Sequence, residues 1–133
     1  MRRILVADDD SAMRELILAT LEDPQFEITL AVNGHDALQK AIAQPPDAII
    51  LDWEMPKMTG AEVVTQLRLR PETAKIPVLM LTGRGQDGND GLKLGITAYL
   101  IKPFSPLLLL ECLNAALASS GKNISTTRVG RRK

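Results

Sequence analysis

Four short apolar runs and one alternating run, separated by segments of helical periodicity, constrain this chain more tightly than any single residue. The apolar runs are RILVA (3–7), DAIIL (47–51), IPVLML (76–81) and AYLI (98–101), while FEITLA (26–31) alternates as a half-buried strand does. Between them, SAMRELILATLED (11–23) sets Met13, Leu16, Ile17 and Leu21 at helical spacing. GHDALQKAIAQ (34–44) reads as a helix closed by Pro45-Pro46, and GAEVVTQLRLR (60–70) turns Val63, Val64 and Leu67 inward. Thr59 and Glu62 make a T-x-x-E capping box, and Ser105 with Pro106 opens a final helix, SPLLLLECLNAALA. Strands and helices that alternate in this way predict an α/β domain with a parallel sheet and helices on both faces.

The chain's 133 residues suffice for one core. No apolar run approaches the roughly 18 residues of a membrane span, and MRRILVADDD is too short in its apolar part and too acidic for a signal peptide. Cys112 is the only cysteine, which excludes an internal disulfide and fits a reducing, cytoplasmic setting. The formal net charge of zero conceals an asymmetry. Lys122, Arg128, Arg131, Arg132 and Lys133 fall in the last twelve residues with no acid among them, so the preceding residues carry 11 basic against 16 acidic groups. The expectation is a folded domain over 1–120 and a basic, mobile tail over 121–133. An acidic main body does not predict a nucleic-acid surface.

In parallel sheets of this kind the site lies beyond the carboxyl ends of the strands. Those ends carry Asp8, Asp9 and Asp10 after strand one, Asp52 after strand three, Thr82 after strand four and Lys102 after strand five. Two carboxylates about 4 Å apart repel by about 4 kcal/mol at an effective dielectric of 20. A divalent cation reverses that cost, and oxygen-only ligands suit Mg²⁺ (or Mn²⁺). A carboxylate, a hard cation, a lysine and a hydroxyl together suit a phosphoryl group carried on Asp52.

ILVADDDSAMREL, IILDWEMPKMTG, VLMLT and YLIKPF, in this order over residues 3 to about 118, resemble the receiver domains of two-component response regulators, the chemotaxis-regulator type included. The resemblance implies a doubly wound, flavodoxin-like (βα)5 fold with strand order 2-1-3-4-5. It implies that Asp52 accepts a phosphoryl group from a histidine kinase, a phosphotransfer protein or a small acyl phosphate. Asp9, Asp52 and the backbone carbonyl of Glu54 would hold Mg²⁺, with Asp8 helping through water. Lys102 would bind the phosphoryl group, Thr82 would turn toward it, and Tyr99 would follow from an exposed to a buried rotamer. A cis Lys102-Pro103 bond is also implied. The domain would act as a signalling switch with its own slow autophosphorylation and dephosphorylation chemistry rather than as a conventional enzyme. Its output would be a protein partner met through the face of the fourth helix, fifth strand and fifth helix. It would involve neither direct nucleic-acid nor membrane binding.

Several features depart from that pattern. Glu54 and Arg84 sit two residues beyond Asp52 and Thr82, where receivers tune the lifetime of the phosphoryl group. An ion pair between them predicts a longer-lived phosphoryl group. Gly83, Gly85, Gly88, Gly91 and Gly95 predict a short, weak fourth helix. In the last helix Leu109, Leu113 and Leu117 fit the buried face, which leaves Leu107, Leu108 and Leu110 partly outward and suggests a partner or a weak homodimer. Trp53 reads as packing beside the site, Asp10 as N-terminal charge for the first helix, His35 as a surface or capping residue, and Cys112 as inert packing. Two other functions fit these residues less well. An interaction module that leaves the site unused is disfavoured by the complete set of Asp9, Asp52, Thr82 and Lys102. A phosphatase of the haloacid dehalogenase type needs its aspartyl nucleophile after the first strand and a second aspartate two residues on, where DWE supplies none.

Overall fold

A computed structural model describes residues 1–83 and 95–118 of the chain. Its strands are β1 (Arg2–Ala7), β2 (Phe26–Ala31), β3 (Ala48–Asp52), β4 (Val78–Thr82) and β5 (Ala98–Ile101). The helices among the described residues are α1 (Ser11–Thr20), α2 (Gly34–Ala43), α3 (Gly60–Arg68) and α4 (Pro106–Ala118). The strands form one parallel sheet in the order β2-β1-β3-β4-β5, as expected. The expected fourth helix, Arg84 and the tail over 121–133 lie outside the described residues.

Pleating divides the core in two. Ile4, Val6, Ile50, Leu79, Leu81 and Leu100 meet Ile17 and Leu21 of α1 and Leu109, Leu113 and Leu117 of α4 on one face. Leu5, Ala7, Ile49, Leu51 and Met80 meet Ala37 and Ala41 of α2 and Val63, Val64 and Leu67 of α3 on the other. β3 and β4 are buried at every position because helices cover them from both sides. Each Leu or Ile so buried contributes about 1.5–3 kcal/mol. β2, at the edge, alternates between half-buried and exposed.

Several boundaries differ from the sequence reading. α1 stops at Thr20, since Pro24 disfavours helical backbone just before it and Leu21 caps the helix with its N–H on Ile17 and Ala19 carbonyls. Leu16 does not point inward but is 42% exposed. It stands about 100° round the helix from Ile17, off the stripe formed by Met13, Ile17 and Leu21. α2 ends one residue early, at Ala43, and α3 ends at Arg68, short of Pro71. β4 starts at Val78 rather than Ile76, because Pro77 has no N–H to give the ladder. β3 runs one residue further than expected, to Asp52 itself. In α4, Leu109, Leu113 and Leu117 are buried, Leu108 and Leu110 are half-buried against the core, and Leu107 is exposed. The capping box at Thr59 and the Ser105 cap form as expected, with the Ser105 Oγ accepting from Leu108 N–H at 2.9 Å.

Candidate phosphoacceptor site

Residue parity brings three of the strand-tip groups to one side. Ile4 and Val6, Ala48 and Ile50, and Ala98 and Leu100 all face α1 and α4. Two residues further along each strand stand Asp8, Asp52 and Lys102. The Lys102 Nζ lies 3.3 Å from Asp52 Oδ1 and 3.5 Å from Asp8 Oδ2, bridging carboxylates of two strands. Asp8 is fully buried and Asp52 is 5% exposed. Asp9 is exposed beside them, and carboxylate oxygens of Asp8, Asp9 and Asp52 lie within 4.8 Å of one another.

Local structure fixes each group. Asp8 Oδ1 accepts from the Asp10 N–H at 2.9 Å, and the Asp8 carbonyl accepts from Arg14 Nη1 at 2.6 Å. Asp10 caps α1, its Oδ1 accepting from Ala12 N–H at 3.0 Å. After Asp52 the chain turns through MPKMTG. The Trp53 N–H donates to Leu81 carbonyl at 2.8 Å, and the Gly60 N–H returns to Trp53 carbonyl at 2.7 Å. A Cβ on Gly60 would meet the Asp52 carbonyl oxygen at 2.5 Å and Met80 Sδ at 2.9 Å, so the close return requires glycine. Lys57 takes the left-handed backbone at φ 75° inside the turn. The Glu54 N–H donates to Asp52 Oδ1 at 3.4 Å, while the Glu54 residue itself is exposed.

Burial, reinforced by the Asp8 charge, raises the Asp52 carboxyl from 3.8 to about 6, with Lys102 and the Glu54 N–H opposing part of the rise. Burial acts to lower the Lys102 ammonium, but Asp8 and Asp52 outweigh it and raise Lys102 above its ordinary value. Two buried carboxylates facing one ammonium leave negative charge to spare. Two oxygens on opposite sides of one Mg²⁺, each at about 2.1 Å, stand about 4.2 Å apart. The spacing of the three carboxylates is close to that, and their hard oxygens are the donor type the ion takes. The set therefore fits a divalent cation.

Thr82 and Tyr99 belong to the opposite face. Val78 and Met80 face α2 and α3, and alternation carries Thr82, 2% exposed, to the same side. Tyr99 packs on that face too, half-buried with its hydroxyl buried, its ring 6.2 Å from that of Trp53 and tilted by 35°. The Lys102 N–H donates to Thr82 carbonyl at 2.7 Å, tying the two strand tips together, and the Lys102-Pro103 bond is cis. His35 is exposed in the first turn of α2, and Cys112 is buried in α4, both as read from the sequence. Sequence reasoning missed Arg14. Its position in the first turn of the helix that leaves Asp8 was the available signal.

Residues 4–114 match the family model of the response regulator receiver domain. The chain belongs to that family. As a receiver domain of two-component systems it is a phosphoacceptor module, and its relatives are response regulators. It is 37% identical over 122 residues to the phosphate regulon transcriptional regulatory protein PhoB of Pseudomonas aeruginosa, covering 90% of this chain and 53% of PhoB. The receiver chain thus spans about half the length of the curated relatives it matches. The chemotaxis response regulator CheY4 of Vibrio cholerae is 37% identical with a TM-score of 0.82, over 88% of this chain and 99% of CheY4. The receiver domain of a sensor histidine kinase from Pseudomonas aeruginosa is 28% identical with a TM-score of 0.81, over 89% of this chain and 98% of that one. That structure has a magnesium ion coordinated in its active-site cleft. Among the described residues, no helix of this receiver is long and apolar enough to cross a membrane.

Proposed function

We propose that Asp52 is the phosphoacceptor of this receiver and that Asp9 and Asp52, with the Glu54 carbonyl and with Asp8 behind them, hold a Mg²⁺ ion beside it. The observation that carries this reading is the Lys102 ammonium within 3.5 Å of both Asp8 and Asp52 at the carboxyl edge of the sheet, with Asp9 alongside. When bound, the cation supplies Lewis-acid neutralisation of the transferring oxygens.

Asp52 Oδ1 is engaged by Lys102 and the Glu54 N–H, and among the described residues none bonds to Oδ2. Oδ2 is the oxygen that attacks phosphorus in this reading. An O–P bond forms on Asp52 as the donor's P–O bond (acyl phosphate) or P–N bond (phosphohistidine) breaks, and the leaving carboxylate or imidazole keeps the electron pair. Lys102, fixed by Asp8, offers its ammonium to the incoming phosphoryl oxygens. Thr82, tied to Lys102 through the backbone, offers its hydroxyl, and Tyr99 on the same face reads that movement. Phosphorylation biases two populations of the domain rather than turning over a substrate. The donor is a histidine kinase or a phosphotransfer protein, and the output is a protein contact involving β5 and α4.

Intact-mass measurement after incubation with acetyl phosphate and Mg²⁺ tests this reading. A gain of one phosphoryl group is expected, absent in Asp52→Asn and absent with excess chelator. Full labelling of Asp52→Asn would overturn it. Unlabelled wild type that nonetheless binds Mg²⁺ would favour an interaction module that leaves the site unused.

A further inference from the structure

Asp9 is the exposed member of the carboxylate cluster, and among the described residues nothing bonds to its side chain. Its backbone is held on both sides instead. The Asp9–Asp10 peptide is fixed by the Asp10 N–H, which donates to Asp8 Oδ1 at 2.9 Å. The Asp8–Asp9 peptide is fixed by the Asp8 carbonyl, which accepts from Arg14 Nη1 at 2.6 Å. The Arg14 N–H in turn donates to the Asp10 carbonyl at 3.0 Å. Arg14 thus grips the chain before Asp9 with its side chain and after Asp9 with its backbone. A peptide unit is planar, so fixing its carbonyl fixes the plane from which the next residue departs.

Helix geometry explains the reach. Side chains of a helix tilt toward its N-terminus, so from the first turn of α1 the Arg14 guanidinium runs back to the end of β1. β1 ends at Ala7, and the Asp8 carbonyl beyond it needs a donor from elsewhere. Helix stability does not explain the choice of residue, because the dipole disfavours a cation in the first turn. Ion pairing does not explain it either. With three aspartates just upstream, Arg14 makes no salt bridge among the described residues and takes a carbonyl instead. That leaves the Asp9 carboxylate open, within 4.8 Å of oxygens of Asp8 and Asp52.

We propose that Arg14 is a positioning residue for the divalent-cation site, holding the Asp8–Asp9 peptide so that the Asp9 carboxylate is presented beside Asp52. It raises affinity for the cation without touching the ion or the phosphoryl group. The assignment rests on the phosphoacceptor reading of Asp52. It gives the guanidinium two effects of opposite sign. Its charge repels a cation, whereas its hydrogen bond organises the carboxylate that takes one, and the second effect is the larger.

Mg²⁺ titration at constant ionic strength, followed by the fluorescence of Trp53, tests it. In Arg14→Met the Kd should rise about tenfold, at the lower end of what losing the support of a metal ligand costs. Met is a good helix former and Arg14 is half-buried, so the fold is retained. Arg14→Lys, which keeps the charge and a donor, should recover most of the loss. In an Asp9→Asn background, Arg14→Met should change the Kd by less than about twofold, because the group it positions is already altered. Labelling by acetyl phosphate should show the same rise in half-saturating Mg²⁺, with the rate at saturating Mg²⁺ within about twofold of wild type. An Arg14→Met Kd equal to or below that of wild type, an equal rise in the Asp9→Asn background, an Arg14→Lys variant no better than Arg14→Met, or a loss confined to the saturated rate would each overturn the assignment and leave the phosphoacceptor reading standing. Wild type that takes up no Mg²⁺ would overturn both.

Discussion

Asp52→Asn should make the metal-free domain more stable at neutral pH and leave it nearly unchanged in acid. The carboxyl's ordinary value of 3.8 becomes about 6 in the fold, through burial and then the Asp8 charge. The fold thus favours the protonated form. Its ionisation penalty is absent below pH 3.8, grows through the interval, and is complete above about pH 6. A rise of this size corresponds to about 3 kcal/mol at 1.36 kcal/mol per pH unit. Asparagine mimics the neutral acid and removes the penalty. In urea with a chelator at pH 8, the midpoint should rise by roughly 1–3 M for a slope of about 1–3 kcal/mol per molar. At pH 4 the two curves should nearly coincide. Trp53, the only tryptophan and half-buried beside the site, reports the transition by fluorescence. Mg²⁺ at 100 times its Kd should then nearly cancel the difference, because it adds about 2.7 kcal/mol to the wild type and little to the variant. Equal stabilities at pH 8 in chelator, or a gain as large at pH 4, would refute the reasoning.

Gly60→Ala should cost about 2 kcal/mol or more and reduce acetyl-phosphate labelling, since the new methyl collides with the Asp52 carbonyl and Met80; thermal unfolding and intact mass check both. Arg68 donates from Nη1 to the Ala74 and Ile76 carbonyls at 2.8 and 3.0 Å and from Nη2 to Gly95 carbonyl at 3.0 Å. Arg68→Leu should destabilise by about 2–4 kcal/mol in a urea titration, and Arg68→Lys should recover only part of it, because an ammonium cannot reproduce the fork. Lys57→Gly should raise stability slightly, by up to about 1 kcal/mol, by relieving left-handed backbone at φ 75°. Glu54→Ala combined with Arg84→Ala should shorten the phosphoryl half-life, read as the rate at which the mass gain disappears; an unchanged rate would dismiss a shielding role.

The strand tips were legible in the sequence because a parallel sheet leaves its loops at one edge, so Asp8, Asp52, Thr82 and Lys102 had to gather there. Helix faces were less legible. Leu16 is apolar but stands a quarter-turn from the buried stripe, and composition at helical spacing does not distinguish Leu16 from Ile17. The ends of α1 and α3 were overrun because apolar periodicity continues past them, whereas Pro24 and Pro71 decide the stop. Charge alone does not mark Arg14 or Arg68 out from other basic residues. Their partners are backbone carbonyls, one of them 27 residues away, and no charge pattern reveals a carbonyl brought close by folding.

The two-residue pleat also separates duties that a loop-built pocket would mix. Acids and ammonium project toward α1 and α4, whereas the hydroxyl of Thr82 and the ring of Tyr99 belong with α2 and α3. A change among the contacts of Tyr99 on one side can therefore leave the ion-handling groups on the other in place, with the Lys102 N–H on the Thr82 carbonyl as a stitch between them.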